Sequence, residues 1–105
     1  MEKYGITLVE PLTPLMVRDV VVNCFAQAHC EGAGIAPQDK DMNREYCRQI
    51  IMKFFDKTGG DFNNPTKESI IKVLGELAEF SKNFRDQEVV KKHYQEIKEL
   101  VDGLN

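Results

Sequence analysis

The sequence predicts an all-α protein: an antiparallel four-helix bundle with a short extended N-terminal arm. Apolar residues recur at helical spacing over four segments of the chain. Each segment begins near a residue that commonly caps helices and ends near glycine or a turn. The connections are short, which favours antiparallel neighbours. The length of 105 residues suits one domain, so residues 1–105 are interpreted as a single helical domain.

Residues 1–12 are predicted to form the extended arm. Residues 6–9 are β-branched or aliphatic and lie between Gly5 and Pro11, a composition that suits an extended segment. A lone strand has no partner inside an otherwise helical chain. The arm is therefore expected to pack on the body of the protein or on another subunit.

The first helix is predicted over about 14–31. Thr13 can accept a hydrogen bond from a free amide, and Pro14 fits the first helical position. Gly32 and Gly34 are expected to end the helix. A run of three valines within it would suit a strand, but the surrounding apolar segment is too long for one, so length favours a helix.

Three more helices are predicted from the same signals, over about 40–57, 65–84 and 87–103. Asp39 or Asp41 caps the first of these, and Asp86 caps the last. Asn64 before Pro65 repeats the cap-then-proline signature.

Composition excludes several classes of function. The net charge is -3 and charges alternate in sign, so a nucleic-acid partner is not expected. No apolar run approaches the roughly 20 residues that span a bilayer, so a membrane partner is not expected either. The first residues lack the basic and apolar regions of a secretory signal, and the three cysteines have no framework spacing. We therefore expect a cytoplasmic protein with reduced thiols.

Four small or ionisable residues fall within apolar stripes: Cys24, Cys47, Ser81 and His93. In an antiparallel hairpin of helices one and two, Cys24 and Cys47 lie nearly equidistant from the turn. With His93 about one helical turn away, they are candidate ligands for zinc or a similar ion. Zinc usually takes four ligands, and only three candidates are present. The ordinary interpretation is that the two cysteines pack as small hydrophobic residues and that His93 and Ser81 find local partners.

Residues 54–64 resemble a degenerate EF-hand calcium loop between two helices. Counted from Asp56, however, the sixth position is Asp61 instead of glycine and the twelfth is Lys67 instead of glutamate. The turn glycine and the bidentate ligand are both missing. The segment is better explained as the end of one helix followed by the start of the next.

No catalytic arrangement is evident, and an enzyme is not favoured. His29 and Cys30 are adjacent in sequence, so on a helix their side chains diverge. Glu96 and Glu99 lie among basic residues, as paired surface carboxylates do. The remaining charges are interpreted as solubilising faces, including Arg44, Arg48 and Lys53 on helix two and Lys91, Lys92 and Lys98 on helix four.

Helix one carries Leu15, Val22 and Ala26 on a second apolar side, beyond its main stripe. Such a helix is either central to its own bundle or covered by another chain. The surplus favours a protein-interaction or assembly module that forms a homo-oligomer, most simply a homodimer, through helix one and the N-terminal arm. A separate protein partner is also compatible with it. The alternative is a metal-binding or thiol-redox protein that uses Cys24, Cys47 and His93.

Overall fold

The computed structural model describes residues 1–104 and confirms the all-α fold class. A small hairpin precedes four helices, which pack into a bundle. The strands and helices are β1 (Glu2–Lys3), β2 (Ile6–Thr7), α1 (Pro14–Ala33), α2 (Lys40–Lys57), α3 (Lys67–Ser81) and α4 (Gln87–Asp102), with a short 3-10 turn at Pro37–Asp39. In residues 1–104 no helix has both the length and the hydrophobicity required to cross a bilayer.

Helix α1 is the centre of the bundle, since it contacts α2, α3, α4 and β2. It is therefore buried on more than one side, and its buried residues include Val17, Val20, Val21, Val22, Cys24, Phe25, Ala26 and Ala28. Val22 and Ala26, on the second apolar side of α1, are buried by contacts within the chain. Leu15 is 49% exposed.

Two predicted helix caps are present. The Thr13 hydroxyl accepts a hydrogen bond from the Met16 amide at 3.3 Å. The Asp86 carboxylate accepts one from the Val89 amide at 3.2 Å. Each cap satisfies an amide that has no partner inside its helix, so these side chains fix where α1 and α4 begin.

Helix α3 is shorter than the predicted range 65–84. Its cap is Thr66, whose hydroxyl accepts from the Ser69 amide at 3.0 Å, while the Ser69 hydroxyl accepts from the Thr66 amide at 2.8 Å. This reciprocal pair begins the helix at Lys67, two residues later than Pro65 indicated.

The N-terminal arm differs from the prediction of an unpaired extended segment. The arm contains the strands β1 and β2, which pair antiparallel with each other, with Glu2 opposite Thr7 and Lys3 opposite Ile6. Tyr4 and Gly5 form the turn, and both have positive φ, 52° and 80°. Positive φ at both central residues is the geometry of a tight two-residue hairpin turn. The hairpin lies on α1 and helps cover its second apolar side.

Candidate functional site

The turn of the hairpin is joined to α1 and α4 by a chain of polar side chains. The Tyr4 hydroxyl lies 2.7 Å from Nδ1 of His93 and donates to Oε2 of Glu96 at 2.9 Å. On the other edge of the imidazole, Nε2 of His93 lies 2.7 Å from Oε2 of Glu31. His93 is only 4% exposed, so its ring depends on these partners.

Counting hydrogens shows how the network is satisfied. A tyrosine hydroxyl has one hydrogen, and an ionised carboxylate only accepts. When Tyr4 donates to Glu96, Nδ1 of His93 must donate to Tyr4, and Nε2 must donate to Glu31. All three contacts are therefore satisfied together when the imidazole carries both protons. The hydrogen bond with His93 is the main cause that lowers the pKa of Glu31.

Further contacts fix the hairpin in place. The Asn23 side-chain amide donates to the Tyr4 carbonyl at 2.9 Å. Lys3 lies 3.9 Å from Glu96. Burial raises the pKa of Tyr4, so its hydroxyl stays protonated and available as a donor. The hairpin is thus held at its turn by α1 and α4 and forms one wall of the adjacent groove.

This groove runs between α1 and α2 along the hairpin, and we call it the α1–α2 groove. It consists of a cavity of about 100 Å³ and a second of about 190 Å³. Asn23 and Arg44 line both cavities, so the two lie side by side. Tyr4 borders the smaller cavity, and Ile6 borders the larger one. The buried side chains of Val22 and Ala26 form apolar parts of the lining.

A row of cations follows the α2 side of the groove. Lys40, Arg44 and Arg48 are four residues apart, which places them on one face of the helix, and all three line the groove. Arg44 and Arg48 were interpreted above as solubilising residues. In the structure they border a concave surface that has apolar residues beside it.

The ion pairs of this row are incomplete. Arg48 lies 3.6 Å from Glu45, and Arg44 lies 4.0 Å from Asp41, which is itself almost fully exposed. Within residues 1–104, no carboxylate forms an ion pair with Lys40. Positive charge along the groove is therefore only weakly compensated.

One end of the groove is closed by Phe62, from the loop between α2 and α3. The guanidinium of Arg18 lies 4.4 Å from the centre of the Phe62 ring, and that of Arg48 lies 5.3 Å from it. Arg18 also donates to the Phe62 carbonyl and to Asp19, both at 2.7 Å. Arg18 is thus occupied within the chain, whereas Arg48 keeps an exposed edge.

At the other end, Asn43 joins α2 to α1. Its side chain donates to the Ala26 carbonyl at 3.0 Å and to Sγ of Cys30 at 3.1 Å, and its carbonyl oxygen accepts from Nδ1 of His29. Sγ of Cys47 lies 3.8 Å from both His29 Nδ1 and Asn43 Oδ1. This second polar cluster fixes the separation of α1 and α2 at the groove.

The candidate metal ligands fall into these two different clusters. Cys24 donates to the His93 carbonyl at 3.5 Å, whereas Cys47 contacts His29 and Asn43. Across the described residues 1–104, no group of three or more histidine, cysteine, aspartate or glutamate side chains is placed to hold a metal ion. Burial raises the pKa of both Cys24 and Cys47 to about 12, so both are protonated thiols near neutral pH.

Several residues of the site were not singled out from the sequence. Gly5, directly before the β-branched and aliphatic residues 6–9, is a turn signal that could have identified the hairpin. The spacing of Lys40, Arg44 and Arg48 could have identified the cation row. Glu96 was interpreted as a solvated carboxylate, but it accepts from Tyr4 across the fold. That contact leaves no local signal, because the two residues are far apart in sequence.

No protein-family model matches the chain, and no curated protein or solved structure shows significant similarity to it.

Proposed function

We propose that this chain is a protein-interaction module that binds an acidic peptide segment of a partner protein in the α1–α2 groove. The observation that supports the proposal is the row formed by Lys40, Arg44 and Arg48 beside apolar side chains. A concentration of cations along one groove is notable because the whole chain carries a net charge of -3. Complementary charge on a partner would guide its approach and orientation.

The length of the groove favours a peptide over a small ion. Its α1 side extends from Arg18 to Cys30. At a helical rise of 1.5 Å per residue, that distance is about 18 Å. An extended chain advances about 3.3 Å per residue, so roughly five residues of a bound peptide would fit along it.

The lining favours a peptide over a nucleic acid. Asp19 borders the larger cavity, and Asp41 and Glu45 lie beside the arginines, so a ligand must space its negative charges apart, which a peptide permits and a continuous line of phosphates does not. The half-buried side chain of Ile6, which lines the groove, matches apolar side chains of a peptide. The expected ligand therefore alternates acidic and apolar residues.

The test is fluorescence anisotropy with a labelled peptide that alternates glutamate and leucine. We expect Arg44→Glu to weaken binding by about tenfold or more, since it reverses a charge at the centre of the groove. Lys53→Glu is the matched control: it changes the net charge equally on the same helix, but Lys53 does not line the groove. Equal weakening by both variants, or stronger binding of a single-stranded oligonucleotide, would contradict the proposal.

Self-association through α1 and the N-terminal arm is a second proposal. It is supported by Leu15 on α1 and Val9 in the arm, each about half exposed. Native mass spectrometry is expected to detect a homodimer that Leu15→Glu converts to monomer. A monomeric wild type would contradict this proposal.

The alternative is a metal-binding or thiol-redox protein that uses Cys24, Cys47 and His93. The same spectrum, recorded without chelator, tests it, because a bound zinc ion would increase the measured mass. Three free thiols are compatible with the proposed cytoplasmic location.

A further inference from the structure

Helix α2 lies at an edge of the bundle and presents one face to solvent. It packs on α1 and α3, and its buried residues are Asn43, Cys47, Ile51 and Phe55. On the outward side, every fourth residue is exposed: Asp41, Glu45, Gln49, Lys53 and Lys57. Residues at this spacing form one ridge along a helix, and we call this one the α2 ridge.

The charge of the α2 ridge changes sign at its centre. Asp41 and Glu45 precede Gln49, whereas Lys53 and Lys57 follow it at the same distances. A half-turn about an axis at Gln49 therefore places acids where lysines were. A symmetric contact between two copies requires a surface that is complementary to itself, and the α2 ridge has this property when the two helices run antiparallel. A parallel copy in the same register would place acid against acid.

Apolar side chains form the neighbouring ridge. Met42 is 77% exposed and Tyr46 is 55% exposed, and Ile50 continues the row as a half-buried side chain. When helices pack through ridges spaced by four residues, a ridge of one helix lies in the groove between two ridges of the other. The α2 ridge of a second copy would then lie beside both the charged and the apolar ridge. Methionine and tyrosine are enriched in such contacts.

The two charged side chains nearest the centre are able to pair with a second copy. Within residues 1–104, Lys53 forms no ion pair. Glu45 lies 3.6 Å from Arg48 and accepts from Gln49 at 2.9 Å, both on its own helix and exposed. Exposed pairs of this kind contribute little, and a carboxylate has room for further donors. Glu45 can therefore also accept from a lysine of another molecule.

We propose that the α2 ridge binds a second copy of this chain, with the two α2 helices antiparallel and crossing at Gln49. Glu45 of each copy pairs with Lys53 of the other, and the contact covers Tyr46. This surface goes beyond the proposed peptide site, because none of these four residues lines the α1–α2 groove.

The contact is also separate from self-association through α1 and the arm, which involves Leu15 and Val9. Only one face of one helix takes part, so we expect a weak interaction with a Kd on the order of 0.1–1 mM. It is therefore dissociated at the micromolar concentrations of native mass spectrometry. At high local concentration it would join copies that already associate through α1.

The experiment reverses the two central charges in a chain that carries Leu15→Glu, which removes the α1 contact. Sedimentation equilibrium up to millimolar concentration measures self-association. Glu45→Lys and Lys53→Glu are each expected to weaken it by about tenfold or more, because each variant places like charges opposite one another at two symmetric positions. The double variant should return to within about twofold of the Leu15→Glu parent.

An equimolar mixture of the two single variants is the sharpest measurement. Each variant supplies the charge that the other lacks, so the mixture should associate about as strongly as the parent while neither variant associates alone. Glu79→Lys and Lys82→Glu are the matched controls, since they make the same changes at exposed positions of the α3 region. They should leave self-association unchanged.

Circular dichroism of every variant checks that the helices are intact. Three results would overturn the proposal: a parent that stays monomeric at millimolar concentration, a mixture that associates no better than its components, or equal weakening by the controls. None of them bears on peptide binding in the α1–α2 groove, which is measured separately.

Discussion

Tyr4 is the residue at which the hairpin, α1 and α4 are joined, so its hydroxyl is expected to affect stability. Tyr4→Phe removes the contacts with His93 and Glu96 but keeps the ring. We expect a loss of about 1 kcal/mol in the free energy of unfolding, measured by urea denaturation. Tyr46→Phe, at an exposed position, should change it by less than about 0.3 kcal/mol. An equal effect of both substitutions would show that the network contributes nothing.

The three thiols are predicted to react differently. Cys24 and Cys47 are buried, and their pKa values are raised to about 12, whereas Cys30 is partly exposed in the groove. At pH 8 a thiol-specific chromogenic reagent should label one cysteine of the native protein quickly and the other two only after denaturation. Cys30→Ser should abolish the fast phase. Fast reaction of two or three thiols in the wild type would contradict the structure.

At the scale of single residues, helical periodicity predicted which side chains are buried but not what they contact. Cys24, Cys47, Ser81 and His93 are all buried, as their positions in apolar stripes indicated. Their partners come from other elements: the Ser81 hydroxyl, for example, lies 2.7 Å from that of Tyr94. Periodicity fixes the direction of a side chain on its own helix, whereas its neighbour depends on how the helices are oriented in space.

Substitution by alanine of two glycines, one at the end of a helix and one inside a helix, is predicted to change stability in opposite directions. Gly34 caps α1 with φ of 74°, and a Cβ there would lie 2.5 Å from the Arg85 guanidinium. Gly34→Ala is expected to destabilise by about 1 kcal/mol. Gly75 lies inside α3, and a Cβ there would meet nothing within 4 Å. Gly75→Ala is therefore expected to stabilise by about 0.5–1 kcal/mol.

Thermal or urea denaturation of the two variants measures both effects. Their opposite signs make each variant the control for the other, since the chemical change is the same. Destabilisation by Gly75→Ala would mean that α3 packs more closely there than the structure has it.

At the scale of elements, the sequence predicted the four helices well because their signals are local. Capping residues, glycines and apolar spacing all act within a few residues of one another. The boundary of α3 was less accurate because two candidates, Asn64-Pro65 and Thr66, follow in succession, and the reciprocal bonds of Thr66 and Ser69 decide between them. The hairpin was missed because each strand has only two residues, too few for a visible alternation.

At the scale of the whole molecule, net charge gave a misleading impression of the surface. A value of -3 averages over faces that differ, and the α1–α2 groove collects cations from α2 beside apolar residues from α1. The central position of α1 likewise accounts for Val22 and Ala26 without a second subunit. From the sequence, the second apolar side of α1 could be explained by a central position in the bundle or by an interface with another chain. The packing of the helices shows that the central position buries Val22 and Ala26.

The pH dependence of stability follows from the link between α1 and α4. The hydrogen bond with His93 and a second one from Gln27 lower the pKa of Glu31 below that of an unfolded glutamate, about 4.3. A depressed carboxyl pKa stabilises the folded state above the unfolded value, and this stabilisation is lost as pH falls through the folded pKa. Because Glu31 is 45% exposed, we expect a contribution of only about 0.5 kcal/mol at pH 7.

Urea denaturation from pH 7 to pH 3 measures this contribution. Glu31→Gln should lower the free energy of unfolding at pH 7, and the difference from wild type should shrink below about pH 4.3 as the wild-type carboxylate is protonated. Glu79→Gln is the control, since Glu79 pairs with Lys82 at an exposed position within one helix turn. A difference between wild type and Glu31→Gln that stays constant down to pH 3 would show that the ionised carboxylate does not join α1 to α4.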